Sequence, residues 1–138
     1  MNMGRNHYET LQAHGLRATP QRLAVAELLL SKPQHMTPQQ VLETLKGELP
    51  SLSHNTIYLT LTSFEESGLL RKLQIDGKSY FDSNVAMHDH MYCSRCGRIE
   101  DIVSSDKSAV PADTHGWILD HDTRIWHGLC PECIKSNH

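Results

Sequence analysis

No apolar stretch in these 138 residues approaches the roughly 20 that a bilayer-spanning helix requires, and Met1 to Gln12 is polar, without a secretion-signal core. A cytoplasmic protein with no membrane partner is expected. Basic surplus is missing too: 13 Lys and Arg stand against 16 Asp and Glu, a formal net charge of −3. Residues 1–82 balance at eight of each sign, while 83–138 carry five basic and eight acidic side chains. A nucleic-acid binder working through bulk positive charge is excluded; one using a local basic face is not. No internal repeat and no low-complexity tract is present, so solenoids and disordered arrays drop out. Cysteine is scarce, at four, and in a reducing compartment four thiols are metal ligands or reactive groups rather than a disulfide framework. Histidine, by contrast, is abundant at ten. A hydrophobic content of 38% supports one ordinary domain or two small ones, with a second source of stability expected.

Punctuation residues divide the first half into helices. Gly4 to His14 reads as a short helix stopped by Gly15. Thr19-Pro20 opens a second, with Leu23, Ala24, Leu28 and Leu29 as its apolar stripe. Thr37-Pro38 with Gln40 makes a capping box for a third, which faces Val41, Leu42 and Leu45 inward. Ser53 caps a fourth, in which Ile57, Leu61 and Phe64 repeat at helical spacing up to Gly68. Two short apolar runs, Leu69–Ile75 and Lys78–Asp82, flank Asp76-Gly77, whose residues suit the positive φ angles of a type I′ hairpin turn. Helices followed by a hairpin form the layout of a winged helix with Ser53–Ser67 as recognition helix, although by pattern alone a featureless small domain fits equally. Beyond Asn84, alternation around Met91–Cys93, Ile99–Val103, Trp117–Leu119 and Ile125–Leu129 predicts short strands, and Ser104–Thr114 has room for one or two helical turns. The expected chain is α+β: an N-terminal winged-helix DNA-binding domain over residues 1–83 and a small C-terminal α/β dimerisation domain over 84–138.

Chemistry concentrates in the second half. Cys93-Ser94-Arg95-Cys96 and Cys130-Pro131-Glu132-Cys133 are paired knuckles, each able to put two thiolates on one tetrahedral Zn2+. The 33 residues between them mean that the ion ties distant strands, and four ligands leave no open position, so its role is structural. His88 and His90, two apart in a strand, point to one face, and Asp82 and Asp101 add oxygen donors suited to iron(II), manganese(II) or zinc. A zinc hydrolase on His88, His90 and His121 is the enzyme alternative, but it leaves the helical half unexplained.

Four motifs in order, Gly15-Leu16-Arg17-x-Thr19-x-Gln21-Arg22, Thr56-Ile57-Tyr58, His88-Asp89-His90-x-x-Cys93-x-x-Cys96-Gly97 and the last CxxC, resemble the ferric uptake regulator (Fur) family across nearly the whole chain. The resemblance implies a non-enzymatic, homodimeric repressor whose winged helices read a palindromic double-stranded DNA operator when a regulatory metal is bound. By that resemblance His35, Asp82, His88, His90 and Asp101 hold the regulatory Fe2+ or Mn2+, one ion setting the angle between the halves. It likewise assigns Arg17, Arg22, Ser53, Asn55, Thr56 and Tyr58 to DNA, Tyr58 being open from pattern alone to a core role. Leu59, where many members carry a polar or basic residue, departs from the family pattern, as does Met87 in place of a histidine. A secondary metal site at Asp89 and His121 is left open.

Aspartate at both 82 and 101 resembles the peroxide-sensing branch (PerR) rather than the iron-uptake branch. That implies sensing of hydrogen peroxide through iron-catalysed oxidation of His35 and His88. Iron, zinc or manganese homeostasis without peroxide sensing is the alternative within the family, and a zinc-stapled module without DNA affinity is the alternative outside it. The other histidines (His7, His14, His54, His115, His127 and His138) read as surface or packing residues.

Overall fold

A computed structural model describes residues 3–85, 88–103, 112–119 and 124–136 and divides the chain into two compact units, Met1–Val85 and Ala86–His138. The first unit begins with four helices that start where their caps demand. Helix α1 spans Met3–Ala13 and α2 spans Pro20–Leu30, its first turn closed by the Thr19 hydroxyl accepting from Arg22 N–H. Helix α3 (Pro38–Leu45) carries the full capping box, with Thr37 and Gln40 satisfying each other's backbone N–H groups. Helix α4 (His54–Glu66) opens on Ser53, whose hydroxyl accepts from Thr56 N–H at 3.1 Å. It closes with Leu69 N–H on Phe64 O and Gly68 N–H on Glu65 O, a paired motif that needs the positive φ of Gly68, here 90°.

Between α2 and α3 lies strand β1, His35–Met36; after α4 come β2, Arg71–Ile75, and β3, Lys78–Asp82. The β2–β3 turn is Asp76-Gly77, with φ of 53° and 77°, as the dipeptide predicts. Strand β3 sits in the middle of the order β1-β3-β2. Strand β1 has no counterpart among the elements expected from the sequence: two residues are too short to show alternation, and pairing with β3 alone makes them a strand. Leu11, Val25, Ala26, Leu29, Val41, Leu45, Ile57, Leu61, Phe64, Leu69, Leu70 and Phe81 form one buried core that draws on all four helices and β3.

The second unit holds β4 (Asp89–Cys93), β5 (Ile99–Ile102) and β6 (Ile125–Gly128) in the order β5-β4-β6, with β4 antiparallel to β5 and parallel to β6. A short helix α5, Pro131–Ser136, follows. Sequence patterning missed α5, which is only six residues long and starts inside the last CxxC knuckle. It also misread Trp117–Leu119, which is not a strand. Its three side chains are exposed, Ile118 almost completely, so the apolar run reflects no burial among the described residues. The helical turns expected within Ser104–Thr114 fall mostly on 104–111, outside the described residues; 112–114 are not helical. No helix among the described residues is long and apolar enough to cross a membrane.

Phe64 is fully buried where the helices of the first unit meet. Phe64→Ala is expected to cost about 3–5 kcal/mol, read as a lowered urea midpoint for the helical unit. A loss below about 1 kcal/mol would show that this core is not what holds the unit together.

Candidate metal centres

The four cysteines converge. Cys93 closes β4, Cys96 follows in the knuckle turn, Cys130 precedes α5 and Cys133 lies in its first turn. Backbone bonds shape the turn: Gly97 N–H donates to Cys93 O at 2.9 Å, Cys93 N–H to Arg98 O at 2.9 Å, and Ser94 N–H to Gly128 O at 2.8 Å. Cys93 Sγ and Cys133 Sγ are 3.7 Å apart, as are Cys96 Sγ and Cys130 Sγ, and all four sulfurs lie within 4.8 Å of one another. Zinc–sulfur bonds of about 2.3 Å in a tetrahedron put sulfurs about 3.8 Å apart, whereas a disulfide needs about 2.05 Å. The donor set therefore fits zinc, and the thiols are not paired as disulfides.

Their acidities differ for local reasons. N–H groups of Cys96 and Cys130 pointing at Cys93 bring its thiol down to about 5, and the Cys133 N–H lowers Cys130. Burial, reinforced by the Cys130 and Cys93 sulfurs, pushes Cys133 up to about 12. Metal capture at neutral pH therefore meets a ready thiolate at Cys93 and must displace a proton from Cys133.

The histidine and carboxylate residues form two groups, one in each unit. In the first, β1 and β3 put His35 directly opposite Asp82. His35 Nε2 is 3.3 Å from Asp82 Oδ2, both side chains being nine-tenths or more buried, and Asp82 Oδ1 accepts from Asn84 N–H at 2.9 Å. Reciprocal bonds between Gln34 and Ser83 lock the strand pair just beyond: Ser83 N–H to Gln34 O at 3.2 Å and Gln34 N–H to Ser83 Oγ at 3.0 Å. In the second, β4 and β5 set His90 opposite Asp101. Asp101 Oδ1 lies 3.3 Å from His88 Nε2 and 3.7 Å from His90 Nε2, and the two rings stand 4.4 Å apart. Donors 2.0–2.2 Å from a common ion lie about 3–3.5 Å from each other, so both groups have the spacing of metal ligands.

Asp89 behaves differently. Alternation along β4 turns it to the opposite face from His90, where it is buried, receives Arg124 Nε at 3.2 Å and accepts from Trp126 Nε1 at 3.2 Å. Its carboxylate is balanced by a guanidinium, which the sequence did not signal. His121, its postulated partner, lies outside the described residues, as does His138.

The residues assigned to DNA are spread over two places in the first unit. Arg17 is exposed in the α1–α2 connection, where its carbonyl accepts from Arg22 Nη1 at 2.9 Å. Ser53, Asn55, Thr56 and Tyr58 occupy the start of α4, with the Ser53 and Thr56 hydroxyls 2.9 Å apart. Tyr58 is 40% exposed and so is not a core aromatic; Lys72 Nζ, from β2, stands 5.8 Å from its ring centre. Sequence reasoning passed over Lys72 because the contact depends on the hairpin folding back along α4. Of the remaining histidines, His7 is buried, His14 and His115 are exposed, and His127 packs edge-on to Tyr92 at 5.5 Å between ring centres.

The model of the "Ferric uptake regulator family" matches residues 13–122. The chain belongs to that family. Fur-family proteins are metal-responsive repressors, not enzymes, and this chain shares the α+β arrangement of its Fur neighbours and carries a four-cysteine cluster. The chain is 36% identical over 135 residues to the peroxide operon regulator of Bacillus subtilis, covering 94% of this chain and 93% of that one. It is 30% identical to the peroxide-responsive repressor PerR of Staphylococcus epidermidis, covering 94% and 89%. Among solved structures it is similar to the ferric uptake regulator of Pseudomonas aeruginosa with manganese, at a TM-score of 0.70 and 25% identity, covering 91% of this chain and 98% of that one.

Zinc capture is expected to release protons, because Cys133 stays protonated until the ion takes its place. With at least that one proton displaced, affinity rises about tenfold or more per pH unit, so about 100-fold or more from pH 6 to pH 8. Competition with a chelator of known proton affinity measures this; a pH-independent affinity would mean that Cys133 does not coordinate as a thiolate.

Proposed function

We propose that this protein is a metal-dependent repressor that binds a palindromic operator as a homodimer, releases it on exposure to hydrogen peroxide, and works in the cytoplasm. Cys93, Cys96, Cys130 and Cys133 hold structural Zn2+, and His35, Asp82, His88, His90 and Asp101 together hold one Fe2+ or Mn2+. The observation that carries the reading is the matched pairing of aspartate with each sensing histidine: His35 with Asp82 and His88 with Asp101, both at 3.3 Å. The similarity to peroxide regulators along almost the full chain supports the same signal.

Iron(II), if held by these five residues, would supply the redox chemistry that cleaves the O–O bond of peroxide. In the net change one peroxide oxygen ends on an imidazole carbon of His35 or His88, the other leaves as water, and the ring is oxidised by two electrons. Asp82 and Asp101 set a carboxylate oxygen 3.3 Å from the Nε2 atoms of those rings, so a nitrogen and an oxygen donor of each pair would converge on the ion. The oxidised ring is a poorer donor. Losing it removes the coordination energy that favours the operator-competent state, and the repressor lets go. Manganese, which does not carry out this chemistry readily, leaves an insensitive repressor.

The protein loaded anaerobically with iron(II) and given a brief low dose of peroxide is expected to gain one oxygen on His35 or His88 in peptide mass spectra, with matching loss of operator binding. Manganese loading should give neither. Unmodified histidines despite bound iron would leave the second reading, an iron, zinc or manganese homeostasis repressor. The similarity to a manganese-bound ferric uptake regulator favours that reading.

The homodimer has its own support. Met91 and Trp126 are cross-strand neighbours on one face of the second sheet, both exposed, and they line a shallow apolar pocket with Leu129. Trp117 and Ile118 of the same unit are exposed as well. Apolar surface on this scale is what a second copy of the chain would cover. Trp126→Glu is expected to shift the sedimentation of a micromolar solution from dimer to monomer; an unchanged dimer would place the interface elsewhere.

A further inference from the structure

We propose that Leu59 reads thymine methyl groups in the major groove, making it a specificity residue that this chain adds to the recognition helix. The inference rests on the DNA-binding reading above.

Helix α4 has two faces. Ile57, Thr60, Leu61 and Phe64 are buried, while His54, Asn55, Tyr58 and Leu59 are exposed and form one contiguous surface over the first turns. Leu59 is the anomaly on that surface. It is 59% exposed, flanked by polar side chains, and contributes nothing to the core that Ile57 and Leu61 build on either side of it. Among the four base pairs, only those containing thymine offer an apolar group to the major groove, the C5-methyl, and aliphatic side chains recognise it by contact.

Charge selects duplex DNA as the occupant. The first turns of α4 carry no acidic residue; Glu65 and Glu66 stand at its far end. The helix N-terminus and its Ser53 cap present N–H dipoles that favour a phosphate. Lys72 Nζ, 5.8 Å from the centre of the Tyr58 ring, puts a cation beside the same surface. An apolar protein partner would find a cation and three polar residues around a single leucine; a groove floor lined with methyl groups and bordered by phosphates matches both features.

The test begins by selecting bound sequences from a random duplex library with the full-length, manganese-loaded protein. Each thymine of the best site is then replaced by deoxyuridine, which removes the methyl and nothing else. Affinity is expected to fall about fourfold per contacted methyl at one or two thymines in each half-site. The exposed Leu59→Ala variant should bind the unmodified site more weakly and lose the deoxyuridine effect, whereas Leu59→Met should keep it. Deoxyuridine without effect at every position, or a penalty that persists in Leu59→Ala, overturns the proposal while leaving DNA binding intact. Failure to enrich any sequence overturns the proposal and the DNA-binding reading with it.

Discussion

The second unit depends on its four sulfurs. Among the described residues every buried hydrophobic side chain outside the first unit is a cysteine, Cys93 or Cys133; the aliphatic and aromatic core lies entirely in the first unit. A unit of this size with little apolar burial needs a cross-link or a metal to fold. Four thiolates at tetrahedral spacing join the end of β4 to α5, and a structural zinc site contributes about 10–16 kcal/mol of folding energy in comparable small domains. The consequence reaches beyond the cluster. Cys93 and His90 are on the same strand, three residues apart, so whatever anchors β4 at its sulfur end also fixes the histidine at its other end against Asp101.

The first unit has an apolar core to anchor its donors. Its core holds β3 centrally, and β3 ends in Asp82, buried and paired in register with His35. A buried carboxylate is costly unless its oxygens are met; Asn84 N–H meets Oδ1, and Oδ2 lies 3.3 Å from His35 Nε2. Each half therefore builds its own pair of nitrogen and oxygen donors by strand register, with the rigidity of a folded sheet behind it.

The parts legible in the sequence were those with local signals. Thr19-Pro20, Thr37-Pro38-x-Gln40 and Ser53 announce helix starts through hydrogen bonds made within three residues, and Asp76-Gly77 announces its turn through backbone conformation alone. The two CxxC knuckles are equally local, which is why the zinc cluster could be anticipated although 33 residues separate its halves. Strand β1 and helix α5 were not legible, since two and six residues carry no period and owe their form to β3 and to the sulfurs. Trp117–Leu119 misled because an apolar run reports a need for cover, not which surface supplies it. Lys72 and Arg124 were invisible for another reason: their roles come from partners distant in sequence, Tyr58 and Asp89.

Two metal environments in one small chain divide the chemistry by donor type. In the proposed function hydrogen peroxide must be reported by histidine, yet Cys93, as a thiolate at neutral pH, is intrinsically the more oxidisable group. Zinc held by the four sulfurs would resolve the conflict. It has no redox chemistry of its own, and with all four positions taken by sulfur it engages the lone pairs through which the thiolates would attack peroxide. The imidazole and carboxylate donors suit a metal that does have redox chemistry, and in the proposed function that metal would bring the reaction to His35 and His88. In the proposed function the cluster that holds the second unit together would thus also keep its thiols out of the reaction, leaving the signal to the ligands whose loss would weaken the regulatory site.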